Sequence, residues 1–408
     1  MEYNFFQLKN GIRIVHKYVD TNVAHCGLII NTGSRDEDEK ENGIAHFIEH
    51  CIFKGTTKRK SYHILNRLDS VGGDLNAYTT KEETCVYASF LHEYYERTIE
   101  LLSDIVFNSN FPTKELVKEK EVVIEEINSY KDNPSELIFD EYEEYMFAGH
   151  PIGRLILGTP ANVRKFKSQH LQNFIHKNYN TDEMVFCSVG NIKFAQLIKL
   201  IEKHFADHPS NLRQTNRQVF DTYKPINIIK NKKTYQTHTV IGNIAYSTKD
   251  NRKNALTVLN NLLGGPAMNT RLNLAVRERH GYAYTVESSY TPYTDTGLFS
   301  IYLGTDNGSN SKAINVVLKE LEKLRTTKLG SLQLHNAKKQ LIGQVAIAYE
   351  SNLNEMLSIG KSYMIFDKVD SIAEINAKIE KVTVEEIIEI ANEIFEPSQL
   401  SYLIYKSK

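Results

Sequence analysis

Apolar positions along this chain alternate between the period of two expected of half-buried strands and the 3.6-residue period of helices that bury one face. Phe5 to Leu8 and Ile12 to His16 flank Lys9-Asn10-Gly11, a turn that Asn-Gly makes cheaply, so the chain opens on a predicted hairpin. A strand is predicted from Val23 to Asn31, then a charged loop after Gly33, and helices around Ile44 to Phe53 and Tyr62 to Val71, the second ended by Gly72-Gly73. Thr84 to Leu91 reads as a strand, and Tyr94 to Phe107 and Thr113 to Ser129 as amphipathic helices. A loop near Asn133-Pro134 precedes a helix from about Ala161 to Tyr179, an apolar strand from Met184 to Gly190 and a helix ending near Phe205.

The polar stretch from Asp207 to Pro225 has little periodicity and reads as a linker. Beyond it the first pattern returns: a strand at Thr237 to Tyr246, a helix at Asn254 to Leu263, Gly264-Gly265, a strand at Leu298 to Gly304, and helices at Lys312 to Leu324 and Ser331 to Tyr349. A closing helix follows Thr383, which is spaced from Glu386 as a capping box, and Leu400 to Tyr405 forms the last predicted strand. Asn76-Ala77-Tyr78 and Tyr282-Ala283-Tyr284 each stand just ahead of a predicted strand, as a degenerate duplication would leave them. The expected division is a domain over 1–206, a linker over 207–228 and a second domain over 229–408.

Composition adds mainly exclusions. At 408 residues, 41% hydrophobic and 24% charged, the chain can bury sizeable cores, and its formal charge of -1 creates no long-range field to gather nucleic acid or an anionic membrane. No apolar run approaches a membrane span, and the N-terminal segment lacks a basic region followed by an apolar one, so the expected location is the cytoplasm. Cys26, Cys51, Cys85 and Cys187 lack the spacing of a thiolate metal site or a disulfide framework and are expected to be buried free thiols.

The chemistry concentrates in His46-Phe47-Ile48-Glu49-His50. On a helix, the two histidines share a face one turn apart, so both imidazoles can grip one metal ion. Glu49 borders that face and can act as a base toward an attacking water, without having to be a ligand. Ile44, Phe47, Ile48, Cys51 and Ile52 form a separate apolar stripe that would bury the helix's other side. A catalytic zinc usually takes three protein ligands, and the helix around Glu119 to Asn128 is the expected source of a third. There Glu119 and Glu126, seven apart, share a face, anchored by Val122, Val123 and Ile127. For Glu119, Glu121 and Glu125 a solvated acidic face is the ordinary alternative.

His46-Phe-Ile-Glu49-His50 followed at a distance by Glu126 resembles the inverted zinc peptidases of the pitrilysin or insulinase family, particularly short members similar to mitochondrial processing peptidase. Phe53-Lys54-Gly55-Thr56, Asn76-Ala77-Tyr78-Thr79, His150-Pro151-Ile152-Gly153, Leu157-Gly158-Thr159 and Leu262-Leu263-Gly264-Gly265 carry the likeness through nearly the whole chain. Two positions depart from it: Cys51 stands where a larger apolar residue is commoner, and His280 where a basic one is usual.

The resemblance implies one zinc ion per chain held by His46, His50 and Glu126, Glu49 as general base, and Glu119 as a supporting acid behind the site. It further implies that Arg277 and Tyr284 reach substrate oxygens, Tyr284 stabilising the tetrahedral intermediate, and that Asn76 and Ala77 lie on an edge strand that pairs with substrate backbone. The fold it implies is α+β, two homologous domains, each an antiparallel or mixed sheet packed with helices, facing one another as a clamshell around peptide or unfolded-protein substrates. At about half the length of four-domain relatives the chain is expected to form a homodimer, with a heterodimer as the alternative. Two other functional readings stay open: a noncatalytic scaffold subunit, and a maturation peptidase dedicated to one precursor.

Overall fold

The structure is a computed structural model that describes residues 2–407. Contacts divide it into two compact units, and the division is not colinear. The first unit takes the chain up to Asn128, then Arg154–Gln218 and Ile347–Ser371; the second takes Ser129–Gly153, Val219–Ala346 and Ile372 onward. The sequence pattern had suggested simple halves.

The first unit holds a six-stranded mixed sheet of β1 (Asn4–Gln7), β2 (Arg13–Tyr18), β3 (Val23–Ile30), β4 (Asp74–Thr79), β5 (Thr84–Leu91) and β6 (Met184–Gly190), in the order β1-β2-β6-β3-β5-β4. The predicted hairpin forms with Phe5 opposite Val15, and Gly11 supplies the positive φ of its turn at 104°. Only β2 and β6 run parallel. One sheet face packs under α1 (Ile44–Cys51), α2 (Ser61–Asp69), α3 (Tyr95–Phe107), α4 (Thr113–Lys131), α6 (Pro160–Lys165), α7 (Ser168–Asn178) and α8 (Phe194–Phe205). The other face, with Val15, Ile29, Cys85, Val185 and Cys187, is covered by Met356 and Ile359 of α12 (Asn352–Phe366), numbered in chain order. Burial on both faces explains why β6, buried along its whole length, reads as a largely apolar run.

The second unit repeats this plan. Its strands β7 (Asn227–Lys232), β8 (Thr237–Ala245), β9 (Ala283–Pro292), β10 (Gly297–Thr305) and β11 (Ser401–Ser407) follow the order β7-β11-β8-β10-β9, and again one pair, β7 with β11, is parallel. Strand for strand this matches β2-β6-β3-β5-β4, which supports the duplication. Helices α9 (Lys253–Gly264), α10 (Asn310–Thr326), α11 (Ser331–Tyr349), α13 (Ile372–Glu380) and α14 (Val384–Ile394) supply one face, while Ile138, Tyr142 and Met146 of α5 (Pro134–Met146) cover the other. Each sheet is therefore closed by a helix that the opposite half of the sequence encodes.

Several sequence expectations need correcting. The helix predicted from Ala161 to Tyr179 is two, α6 and α7, because Phe166 and Lys167 are extended. Asn76-Ala77-Tyr78 lies within β4 and Ala283-Tyr284 opens β9, so both segments are parts of edge strands instead of approaches to strands. Val122 is no anchor, being 50% exposed, whereas Val123 and Ile127 are buried. All four cysteines are buried and free, and the Thr383 capping box forms, with Thr383 Oγ1 accepting from the Glu386 amide at 3.2 Å. Among the described residues no helix is long and apolar enough to cross a membrane.

Candidate metal centre

Helix α1 is eight residues long and buries Ile44, Ala45, His46, Phe47, Ile48 and Cys51, so its apolar stripe seats it in the core as the pattern predicted. Its remaining face carries the imidazoles of His46 and His50, with ring centroids 4.7 Å apart. From α4, which packs through Leu116, Val123, Ile124 and Ile127, Glu126 reaches the same point. Its Oε2 lies 3.7 Å from His46 Nε2 and 3.3 Å from His50 Nε2. One potential ligand atom from each of the three residues lies within 4.8 Å of the others. Two ligands about 2.1 Å from a tetrahedral zinc stand about 3.4 Å apart, so this donor set fits the ion.

Around these groups the electrostatics are polarised. His50 Nδ1 is 3.0 Å from Glu119 Oε1, and Glu119 Oε2 is 2.8 Å from Lys54 Nζ, which leaves His50 Nε2 turned toward Glu126. Working against desolvation, hydrogen bonds to Glu119 and Glu126 raise the His50 imidazole to about 9. Burial, and then the charge of His50, lower His46 to about 4, and its Nδ1 is buried with no hydrogen-bond partner. Glu119 titrates below the usual range because His50 and Lys54 outweigh its burial, and the hydrogen bond to His50 chiefly does the same for Glu126.

Glu49 differs from all of these. Burial pushes its carboxyl up, and its Oε2 is buried without a hydrogen-bond partner. A carboxyl that holds a proton readily, beside two imidazoles and the carboxylate of Glu126, is suited to moving protons.

Helix α1 packs beside β4, whose outer edge pairs with no strand among the described residues. On it Asn76 is exposed, donating to Asp74 Oδ2 at 2.9 Å, and Ala77 is half-buried. Arg277 and Tyr284 belong to the second unit. Arg277 sits on a π-helical turn, Asn273–Glu278, with its side chain 51% exposed, and Tyr284 is 70% exposed on edge strand β9. Hydrogen bonds from the Gly281 amide to Arg277 O and from the Tyr282 amide to Val276 O tie the connecting loop down.

A family profile described as Insulinase (Peptidase family M16) matches residues 13–160, and one described as Peptidase M16 inactive domain matches 165–341. A Bacillus subtilis protein named as an uncharacterised zinc protease is 34% identical over 96% of this chain and 95% of its own length. This chain belongs to the insulinase family of peptidases.

Another insulinase-family relative, a Mycobacterium leprae protein also named as an uncharacterised zinc protease, is 30% identical over 95% of this chain and 88% of its own. Two solved structures share the fold. A protease from Helicobacter pylori has a TM-score of 0.91 at 20% identity, covering 99% of both chains. A protein from Pseudomonas fluorescens described as a peptidase M16 inactive domain has 0.93 at 19%, covering 100% of this chain and 98% of its own. All of His46, Glu49, His50 and Glu126 fall within the segment matched by the first profile.

Two residues of the neighbourhood escaped the sequence reading. In the sequence Lys54 stands out only as part of a family-like segment, because its link to Glu119 is tertiary. In the sequence Glu37 is one charge of the loop after Gly33, yet it is only 4% exposed and accepts hydrogen bonds from Asn42 Nδ2 at 2.9 Å and the amides of Gly43 and Ala45 at 2.8 and 2.9 Å. Burial pushes its carboxyl up to about 8, with the three N–H donors pulling the other way.

Proposed function

We propose that this chain is a zinc-dependent endopeptidase for extended peptides and unfolded segments, with one zinc ion on His46, His50 and Glu126 and with Glu49 as general base. The observation that carries this reading is the meeting of two imidazole nitrogens and a carboxylate oxygen at separations suited to one ion, next to the half-buried Glu49, whose Oε2 is buried without a hydrogen-bond partner. Zinc bound there would supply a Lewis acid and lower the pKa of coordinated water. Glu49 takes the proton from the attacking water and passes it to the leaving amine, a task its raised proton affinity favours. Glu119 fixes the ring of His50 through Nδ1.

Substrate would add as a strand to the open edge of β4, where Asn76 and Ala77 meet its backbone, so selectivity for side chains is weak. Arg277 and Tyr284 are assigned to the substrate's oxygens because a guanidinium and a phenol supply donors where negative charge develops. The exposure of both side chains is compatible with that role. The functional particle is taken to be a homodimer, which sedimentation of the purified protein tests.

Elemental analysis together with an unstructured peptide library read by mass spectrometry tests the assignment. Wild type is expected to carry zinc and to cut at many sites; a single site would indicate a dedicated maturation enzyme. Glu49→Gln keeps zinc and loses at least about a hundredfold in kcat. Full activity in that variant would refute the base assignment.

A further inference from the structure

Helix α1 presents a problem at its N-terminus. Its N-cap is Gly43, at φ 97°, which has no side chain to satisfy the helix's first amides, and there is no acidic residue in its first turn. A capping side chain at 43 is excluded by space. A Cβ there would stand 2.8 Å from both Gly158 Cα and Leu157 O. Gly158, at φ 69°, meets the same limit from the other side, since its own Cβ would lie 2.4 Å from Asn42 O. The loop 154–158 and the start of α1 thus touch backbone to backbone.

The cap comes instead from six residues upstream. Both oxygens of Glu37 face N–H donors: Oε1 accepts from the Ala45 amide, and Oε2 from the Gly43 amide and Asn42 Nδ2. When ionised, this carboxyl also complements the helix dipole. Glu37 is itself clamped, because Arg154 Nη1 donates to its carbonyl oxygen while Arg154 O accepts from Lys81 Nζ at 2.6 Å. Asn42 Nδ2 additionally donates to Leu155 O at 2.8 Å. Burying a carboxyl is costly, so a helix that needed only a cap gains little from this arrangement over an exposed serine.

We infer that Glu37 is a positioning residue for the metal centre: it fixes the axial setting of α1, and through that short helix the places of His46 and His50 relative to Glu126. The inference rests on the zinc-site reading given above. His46 is the third residue of the helix, one position beyond the Ala45 amide that Glu37 holds. With only two turns in α1, a displacement at its start is carried to both imidazoles. Glu126 sits on a different helix and does not follow, so the three ligand atoms lose their mutual spacing.

Glu37→Gln tests this, because an amide nitrogen then faces N–H donors with no lone pair to offer. Zinc affinity is measured by competition with a chromophoric chelator, ligand geometry by the visible bands of the cobalt(II)-substituted protein, and fold by thermal melting of the metal-free form. The expected result is a zinc dissociation constant about tenfold higher than wild type, shifted cobalt bands and a lower kcat at unchanged KM. The metal-free form melts somewhat below wild type, because buried N–H donors lose their acceptor, but still unfolds in one cooperative transition, so zinc binding is measured on folded protein. Asn42→Ala, which removes one donor and keeps both helix amides, gives a smaller change of the same kind and carries the test if Glu37→Gln does not fold. Wild-type zinc affinity and cobalt bands in folded Glu37→Gln would overturn the role of Glu37. A wild type that binds no zinc overturns the site reading itself, so the two failures are distinguishable.

Discussion

Glu119 shows how much one side chain can settle, since it joins His50 Nδ1 to Lys54 Nζ with one oxygen each. Glu119→Ala leaves the His50 ring without its orienting partner, and zinc affinity is expected to fall about 10- to 100-fold in a chelator competition. Val122→Ala, on the exposed side of the same helix, should leave it unchanged. His16 gives a stability effect away from the site. It is fully buried, Nε2 bonds Ile192 O at 3.1 Å, and burial lowers it from 6.5 to about 4. The folded state therefore keeps it neutral where the unfolded chain takes up a proton. Its stabilisation is complete above pH 6.5 and is lost as the pH falls toward 4, by about 3 kcal/mol in all. Melting curves of wild type should fall more steeply over that interval than those of His16→Gln; parallel slopes would contradict the assignment. At this scale the sequence revealed what local spacing encodes. His46, Glu49 and His50 are neighbours on one helix, whereas nothing in the spacing of α4 distinguishes Glu126 from Glu119, Glu121 and Glu125 as the ligand, and only family likeness selected it. Glu37 and Lys54 act across loops, where periodicity carries no signal.

Among the elements, α12 depends on one close approach. A Cβ on Gly360 would lie 2.7 Å from Ile29 Cδ1 and 2.8 Å from Cys187 Sγ. Alanine favours helix over glycine by about 1 kcal/mol, but separating α12 from β3 and β6 to admit the methyl is expected to cost about 1–3 kcal/mol. Gly360→Ala should consequently melt below wild type, and a higher melting temperature would mean that the sheet yields more easily than these contacts suggest. The same helix shows why parts of the fold were not legible. α12 lies against a sheet face, and neither it nor α5 has the strong one-sided pattern of a surface helix such as α8. Asn133-Pro134 reads as a loop in the sequence, but Pro134 is the first residue of α5, where its missing N–H does no harm. Edge strands β4, β7 and β9 expose much of their length and lack the apolar runs that made β5, β6, β8 and β10 readable.

For the molecule as a whole, the connection between the repeats behaves unlike a free tether. Residues 209–226 carry no helix or strand, yet Arg213 and Arg217 both reach Asp36 at 2.7 Å, and the Thr181 amide donates to Asn211 O at 2.7 Å. Asp36→Asn removes the shared carboxylate from two largely buried guanidiniums, at an expected cost of about 3 kcal/mol. Faster limited proteolysis between 209 and 226 is the readout, and an unchanged cleavage rate would show that the arginines are held adequately by Asn31 O and Glu82 O. Cutting there has a second consequence, set by the placement of α5 and α12. The N-terminal fragment would retain the first sheet without its α12 cover, and the C-terminal fragment the second sheet without α5. Each piece would be an incomplete protein carrying the other's missing part. Nicked protein is expected to elute as one particle and to resolve into two bands only under denaturing conditions, and halves expressed alone should aggregate while coexpressed halves reconstitute. Each copy would then depend on the other to fold, a dependence that would keep the two repeats together in one chain.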